Sequence, residues 1–296
     1  MRKFFFLFIF SFSSQLLRAQ DDLLSLLDSE TKPVAEHVTN AFKSTRVIMS
    51  HSLEHVGAGV LDFRIMHRFG HFSGGHKDAW GFDNATMRIS FDYGITNRFT
   101  VGLGRSTFKK EADAFLKYRL LWQTKGAKKI PVTVEYVTGI TADASSWAHP
   151  DRTNYFSSRL GYYHQLIVGK KFNDRFSLQL SPILIHRNYV ETLTEKNDVL
   201  AGEIGTRIKL TKRFSLNLDY FYFLPGNLPT TATRPLSIGV DIETGGHVFQ
   251  LHFTNTSSMN ERAVVTETNG DWLKGDIAFG FNLSRVFTID SKKRKA

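Results

Sequence analysis

The stretch Ala85-Thr86-Met87-Arg88-Ile89-Ser90-Phe91-Asp92-Tyr93-Gly94-Ile95-Thr96-Asn97-Arg98-Phe99-Thr100-Val101-Gly102-Leu103-Gly104 decides the fold. Met87, Ile89, Phe91, Tyr93 and Ile95 alternate with Thr86, Arg88, Ser90 and Asp92. Successive side chains of a strand point to opposite faces, so this run has one apolar and one polar face. Asn97-Arg98 interrupts it, and Val101 and Leu103 then alternate with Gly102 and Gly104. Two alternating runs around a tight polar turn are a β-hairpin.

The turn recurs. Lys171-Phe172-Asn173-Asp174-Arg175-Phe176-Ser177-Leu178 and Lys209-Leu210-Thr211-Lys212-Arg213-Phe214-Ser215-Leu216 again set an Arg before Phe, a small hydroxyl residue and an aliphatic. Alternation flanks each copy. Strands are expected at 60–69, 85–96, 99–108, 114–123, 130–141, 157–171, 176–189, 199–210, 214–224, 236–243, 247–256 and 273–287. The fold class is therefore all-β: a single antiparallel up-and-down barrel of about twelve strands, each near the length of a tilted membrane strand. Pro182 inside one strand suggests a bulge or break. Connections at 97–98, 124–129, 173–175, 211–213 and 244–246 are short. Those at 70–84, 142–156, 190–198, 225–235 and 257–272 are longer, with 109–112 the exception. Short periplasmic turns and long external loops alternate in this way in transmembrane barrels, and the Arg-Phe turns then mark the periplasmic end.

A soluble barrel also alternates, but turns its polar face to water. Here the apolar face is long, aromatic and nearly free of charge. The polar face carries Gly, Ser and charges of both signs, as a lumen would. Tyr93, Tyr118, Trp122, Tyr136, Tyr220 and Tyr222 near strand ends suit interfacial girdles. Lipid offers an open edge no hydrogen-bond partner, so the sheet must close.

The ends agree with an envelope location. Met1-Arg2-Lys3, an apolar run Phe4–Phe12 and Ala19-Gln20 read as a cleaved secretory signal over 1–19, although Leu17 is large for its place before the cut. The run is too short for a spanning helix, which needs ~20 residues. Residues 20–44 read as an N-terminal extension, a short helix or a plug: Leu23, Leu24, Leu26 and Leu27 precede Pro33, and Val34, Val38 and Phe42 follow at helical spacing. The barrel is expected over 45–290 and a basic tail over 291–296. The net charge of +10 includes three cations in the signal and four in the tail, leaving +3 for the body. No basic stripe argues for nucleic acid. The chain has no Cys, so neither disulfides nor thiol chemistry is available.

The residues Ser50-His51-Ser52-Leu53-Glu54-His55-Val56-Gly57, Val60-Leu61-Asp62-Phe63-Arg64-Ile65-Met66-His67-Arg68-Phe69-Gly70 and Trp80-Gly81-Phe82-Asp83-Asn84, with Asp92–Arg98 and Val101–Ser106, resemble an uncharacterised Bacteroidota family of outer-membrane β-barrels, a domain of unknown function. The resemblance covers the mature chain and is densest over 45–120. It implies a barrel in the Gram-negative envelope and carries no catalytic residues. Many barrels end on a Phe read by the assembly machinery, whereas here Phe287 is followed by the tail.

The predicted lumen face holds Asp62, Arg64, Arg68, Arg88, Asp92, Lys117, Arg119, Glu135, Glu203, Arg207 and Asp219. Charges of both signs on neighbouring strands favour a filled, paired interior over an open selective pore. Trp80, Trp147 and Trp272 lie in long loops, where they could stack on a sugar, anchor a partner or cap the mouth. His51-Ser52-Leu53-Glu54-His55 has the H-x-x-E-H spacing of inverted zinc peptidases, but Gly57, Gly59 and a strand follow at once, so the helix that chemistry needs is not expected. Polar packing at the barrel entrance is preferred for His51, Glu54 and His55 over a rim metal site. No nucleophile elbow is present. The expectation is a porin-like, non-enzymatic barrel without cofactor: a small-solute channel or a structural component of the envelope. Its partners would be outer-membrane lipid, the barrel-assembly machinery, and a small solute or glycan. The alternatives are a membrane-embedded hydrolase acting on lipid, needing a Ser–His pair on the lipid-facing wall, and a cell-surface binding scaffold.

Overall fold

The computed structural model describes residues 34–147 and 149–292. The expected secretory signal, the leucine-rich stretch 21–33 and the end of the expected basic tail lie outside them. Twelve antiparallel strands close into one barrel. They are β1 (Val60–His71), β2 (Ala85–Thr96), β3 (Phe99–Ser106), β4 (Ala112–Leu121), β5 (Thr133–Ala142) and β6 (Leu160–Lys171). The second half is β7 (Phe176–Arg187), β8 (Asp198–Lys209), β9 (Phe214–Phe223), β10 (Leu236–Thr244), β11 (His247–Thr254) and β12 (Ala278–Thr288). Each pairs with its sequence neighbour, and β12 pairs with β1 to close the ring. No edge remains, as a sheet in lipid requires.

The alternation in the sequence sets the faces. On β1, Asp62, Arg64, Met66 and Arg68 are buried inside, while Leu61, Phe63 and Ile65 face out. Phe91, Leu103, Leu116, Tyr118, Leu180 and Phe253 form part of the exposed outer wall. Pro182 also points outward, and the register runs through it without a shift on both sides. Only the pairings between β6 and β7 at this level drop out of the ladder, from Gln165↔Ile183 to Val168↔Leu180. A proline removes one donor without forcing a bulge where the flanking register is pinned. The bulges lie elsewhere, at Gly94/Thr96, Arg119/Leu121 and Ala278/Gly280.

Residues 34–59 are extended or bent rather than helical. Glu36–His37 pairs with Thr124–Lys125 under the short-turn end, and Val38 N–H donates to the Gln123 carbonyl at 2.8 Å. Trp122 does not join an interfacial girdle. The bulge after Arg119 turns it beneath the barrel, where His37 stacks on it at 4.1 Å and its Nε1–H donates to the Val38 carbonyl. The chain then climbs into the lumen, reverses and leaves by the same end. The reversal is a hairpin, with a bridge Arg46↔His51 and hydrogen bonds from Val47 N–H to Ser50 and from Ser52 N–H to Thr45. At the exit, Ala58 N–H donates to Asn97 and Gly59 N–H to the Gly94 carbonyl. Gly94 lies so close to the Val56 and Gly57 carbonyls that any side chain there would collide with them. The first barrel strand therefore starts at Val60, and residues 45–59 belong to the filling of the barrel rather than to its wall.

The long loop between β11 and β12 contributes the other filling. Helix α1 (Glu261–Glu267) is capped by Asn260, whose side chain accepts from Ala263 N–H. Residues Glu261–Thr266 are all buried. The apolar core of the molecule lies inside the lumen. Phe42, Val47, Ile48, Met49 and Leu53 of the plug and Val264 and Val265 of α1 pack with Val137, Tyr163, Ile167, Ile183, Ile185, Val199, Phe221 and Phe223 of the wall.

Candidate functional site: the plugged lumen and the outer vestibule

The plug has little regular pairing of its own, so its backbone groups need partners from elsewhere. The wall supplies them. Lys117 Nζ donates to the Ser52 and Glu54 carbonyls at 2.5 and 2.6 Å, and Arg119 Nη2 to the Leu53 carbonyl at 2.7 Å. Gln179 reaches the His51 carbonyl at 2.8 Å, Gln250 the Val47 carbonyl at 2.8 Å and Asn282 the Ile48 carbonyl at 3.0 Å. Arg207 Nη1 lies 3.3 Å from the Asn40 and Ala41 carbonyls. Asp219 works in the opposite sense, accepting from Met49 N–H at 2.8 Å and Ser50 N–H at 2.9 Å. The Ser50 hydroxyl stands 3.1 Å from both Glu203 and Asp219. Long donors on five strands thus read the plug as a backbone, while one carboxylate holds its tip.

All eleven expected lumen charges are buried on the inner face. Some pair as anticipated: Arg64–Asp62 at 2.6 Å, Arg119–Glu135 at 2.9 Å and Lys117–Glu135 at 3.1 Å. Arg88 pairs at 2.5 Å with Asp113, a buried residue that was not among the expected lumen charges. Others serve the plug or the wall backbone instead of a counter-charge. Arg68 donates to the His67 carbonyl and to Asn282, and its second nitrogen meets Met49 Sδ. Against the expectation of a polar lining, apolar residues share the inner face with polar ones: on β5 to β9, Val137, Ile183, Ile185, Val199, Phe221 and Phe223 stand in the same strands as Glu135, Gln179, Glu203, Arg207 and Asp219, and Phe115 of β4 joins the apolar set.

His51, Glu54 and His55 do not converge. His51 faces Glu261 at 3.3 Å, His55 faces Glu135 at 3.3 Å, and Glu54 accepts from Ala41 and Phe42 N–H. Burial lowers the pKa of both histidines: His51 falls well below its ordinary value, with Arg46 and Lys117 adding to the effect, and His55 falls to about 4 despite Glu135 beside it. Burial raises the Glu54 carboxyl, against the pull of Arg119. Among the described residues no group of three or more His, Asp or Glu is placed to hold a metal.

The outer filling meets the inner one at a single ionic joint. Glu261, the first residue of α1, pairs with Arg46 of the plug and faces His51. Its neighbour Arg262 points the other way, pairing with Glu111 and, at 2.6 Å, with Glu267. These two carboxylates hold the Arg262 guanidinium above its usual range, and Arg262 and Lys109 hold Glu267 below its own. Above α1 opens a vestibule of about 520 Å³ at the long-loop end, with Trp147, Arg159, Arg187, Tyr189 and Glu267 in its lining.

Residues 42–287 match the model of a family, DUF5777, described as a membrane-bound β-barrel domain. The chain belongs to this family. It is a membrane barrel of the outer-membrane type. The family match takes in the plug as well as the wall. No curated protein matches the chain. Among solved structures it is similar to the NanC porin, with 8% identity over 77% of this chain and 98% of that one and a TM-score of 0.49. It is similar to the KdgM porin at 10% identity over 77% and 99%, TM-score 0.46. It is also similar to the COG4313 outer membrane channel from Pseudomonas putida F1 at 14% identity over 80% and 98%, TM-score 0.49. These are likenesses of outline, and the reading of this DUF5777 barrel rests on its own residues.

The three loop tryptophans go to different places. Trp147 lines the vestibule under the Arg159 guanidinium, which sits 3.7 Å from its ring centroid. Trp272 is tied down by its Nε1–H to the Leu236 carbonyl, and Trp80 is exposed. On the outer wall, His164 meets Tyr136 at 2.8 Å and Thr138 at 3.1 Å, and His186 meets Asp198 at 2.7 Å.

Proposed function

We propose that this protein sits in the outer membrane as a barrel closed by its own N-terminal segment, and that withdrawal of the plug opens a path for small polar solutes. One observation carries the reading: between its backbone ties at Glu36–Val38 and Gly59, the plug is held by side-chain hydrogen bonds to its backbone rather than by strand pairing with the wall. Such bonds exchange for water at a net change of about 0.5–1.5 kcal/mol each, so a hydrated lumen can replace them. Several buried polar atoms of the docked state, among them Arg64 Nη1, Arg207 Nη2 and Glu261 Oε2, meet no hydrogen-bond partner among the described residues. Water entering beside a withdrawn plug would satisfy these groups. The lumen charges are then the socket of the plug first, and the lining of the path only when the plug is out.

The test is solute uptake into proteoliposomes. The parent protein is expected to pass small sugars and amino acids slowly. A Lys117→Ala/Arg119→Ala variant, which loses three hydrogen bonds to the plug, is expected to pass them at least about tenfold faster, because about 1.4 kcal/mol already shifts a docking equilibrium tenfold. Equal slow uptake by parent and variant would support the second reading, a permanently closed structural barrel. The apolar half of the plug favours that reading, since Phe42, Ile48 and Leu53 are fixed in the core.

A further inference from the structure

The vestibule lies apart from the plug socket, and nothing in the plugging account uses it. Its volume of about 520 Å³ falls within the range of sites that take small molecules, about 300–1,000 Å³. Its floor is α1, so in the closed barrel it is a cup and not the mouth of a pore. Three aromatic rings line it, those of Phe108, Trp147 and Tyr189. The Arg159 guanidinium lies over one face of Trp147, and its Nη1 also donates to the Asp143 and Ser145 carbonyls at 2.7 Å each. Tyr189 is about half exposed, at 52%.

The charges of the cup come in opposed, preset pairs. Lys109 meets Glu267 at 2.8 Å, Arg262 meets Glu267 at 2.6 Å, and Arg187 meets Glu195 at 3.2 Å. A site of this kind has little net field to draw a strongly charged ligand. It presents donors and acceptors side by side at fixed spacing, which is what vicinal hydroxyls can use, since each hydroxyl both donates and accepts. Aromatic faces supply the complementary apolar contact for the C–H face of a ring. Arg187 Nε is buried and has no hydrogen-bond partner among the described residues, so a donor remains for a ligand oxygen.

We infer that the vestibule is a binding site for a small neutral saccharide, a mono- or disaccharide, seated on Trp147 and Tyr189 and hydrogen-bonded by the paired Arg and Glu side chains of the cup. The inference stands whether or not the plug ever moves, because the site is open to the outside in the closed barrel.

The test is isothermal titration of the full chain in detergent with maltose, cellobiose and N,N′-diacetylchitobiose, and with glycylglycine as a zwitterion of similar polarity. At least one disaccharide is expected to give a saturable heat. Trp147→Ala and Tyr189→Ala are each expected to weaken that binding about tenfold or more, while Trp147→Phe keeps most of it and Trp80→Ala changes nothing. Heat-modified migration on a gel confirms that each variant is a folded barrel. No saturable heat with any of the three disaccharides would overturn the site. Unchanged affinity in both alanine variants, or tighter binding of glycylglycine than of every disaccharide, would overturn it equally. Because this measurement never reads solute passage, its failure leaves the plugging account intact, and failure of that account leaves this site intact.

Discussion

Asp219 shows how much one lumen residue does. It accepts two backbone N–H groups and lies beside a hydroxyl at the tip of the plug. Hydrogen bonds to a charged group are each worth about 1.5–3 kcal/mol, and Asp219→Ala is therefore expected to loosen the tip by at least that much. A single cysteine placed by Ser50→Cys, in a chain with no other, reads the loosening. It should resist a maleimide in the parent and react in the Asp219→Ala background. Leu53, buried in the plug core, gives the apolar counterpart. Leu53→Ala should lower the unfolding free energy by about 2–5 kcal/mol, measured by urea unfolding in detergent. The two plug histidines set a pH direction. Burial keeps them neutral, so the native state binds fewer protons than the unfolded one between about 6.5 and about 4. Their contribution to stability is present above pH 6.5 and is lost as pH falls toward 4. Glu54, raised by its burial, works the other way. The histidine part is therefore the difference between the parent and His51→Gln/His55→Gln, and the parent should lose more stability on acidification. The sequence made the identity of these lumen residues legible, because the period of two placed all eleven on the inner face. It did not make their partners legible. A carbonyl of residues 40–58 carries no sequence signal, so Lys117 and Arg119 read as ion-pair partners when half their contacts are to backbone.

At the scale of elements, the strands were written plainly and the fillings were not. Alternation fixed every barrel strand, and the short and long connections fixed the two ends. The sign that the lumen is packed was also present. Leu166-Ile167-Val168 and Ile183-Leu184-Ile185 are apolar on both faces, which a strand lined by water would not be. Alternation elsewhere in the same strands masked those short runs. Helix α1 had a start signal in Asn260 ahead of an Ala-Val-Val run, but at seven residues it falls below the length at which helical periodicity shows. The helical spacing of Val34, Val38 and Phe42 did not become a helix, because the conformation of the plug is dictated by the wall. The joint between α1 and the plug is where the two fillings depend on each other. Glu261→Gln keeps the shape of the side chain and removes its charge, leaving Arg46 buried without a counter-ion. Breaking a buried ion pair from one side costs about 3–5 kcal/mol. Protease accessibility of the loop over 255–277 is expected to rise in that variant, and labelling of Ser50→Cys is expected to rise with it. If only the loop responds, the two fillings are independent.

For the whole molecule, the wall is a closed ring of twelve strands and its lumen is filled by the plug and α1. The apolar residues of the lumen anchor the plug, and its polar residues hold it through bonds that water can replace. The proposed closure in the resting state rests on both. The most direct measurement is conductance in planar bilayers of the intact chain beside the Lys117→Ala/Arg119→Ala/Asp219→Ala variant. The intact chain is expected to stay closed under modest voltage and the variant to open in discrete steps. An intact chain that conducts steadily from the moment of insertion would contradict the plug as a closure, and a folded variant as silent as its parent would contradict the socket as what holds the plug in place.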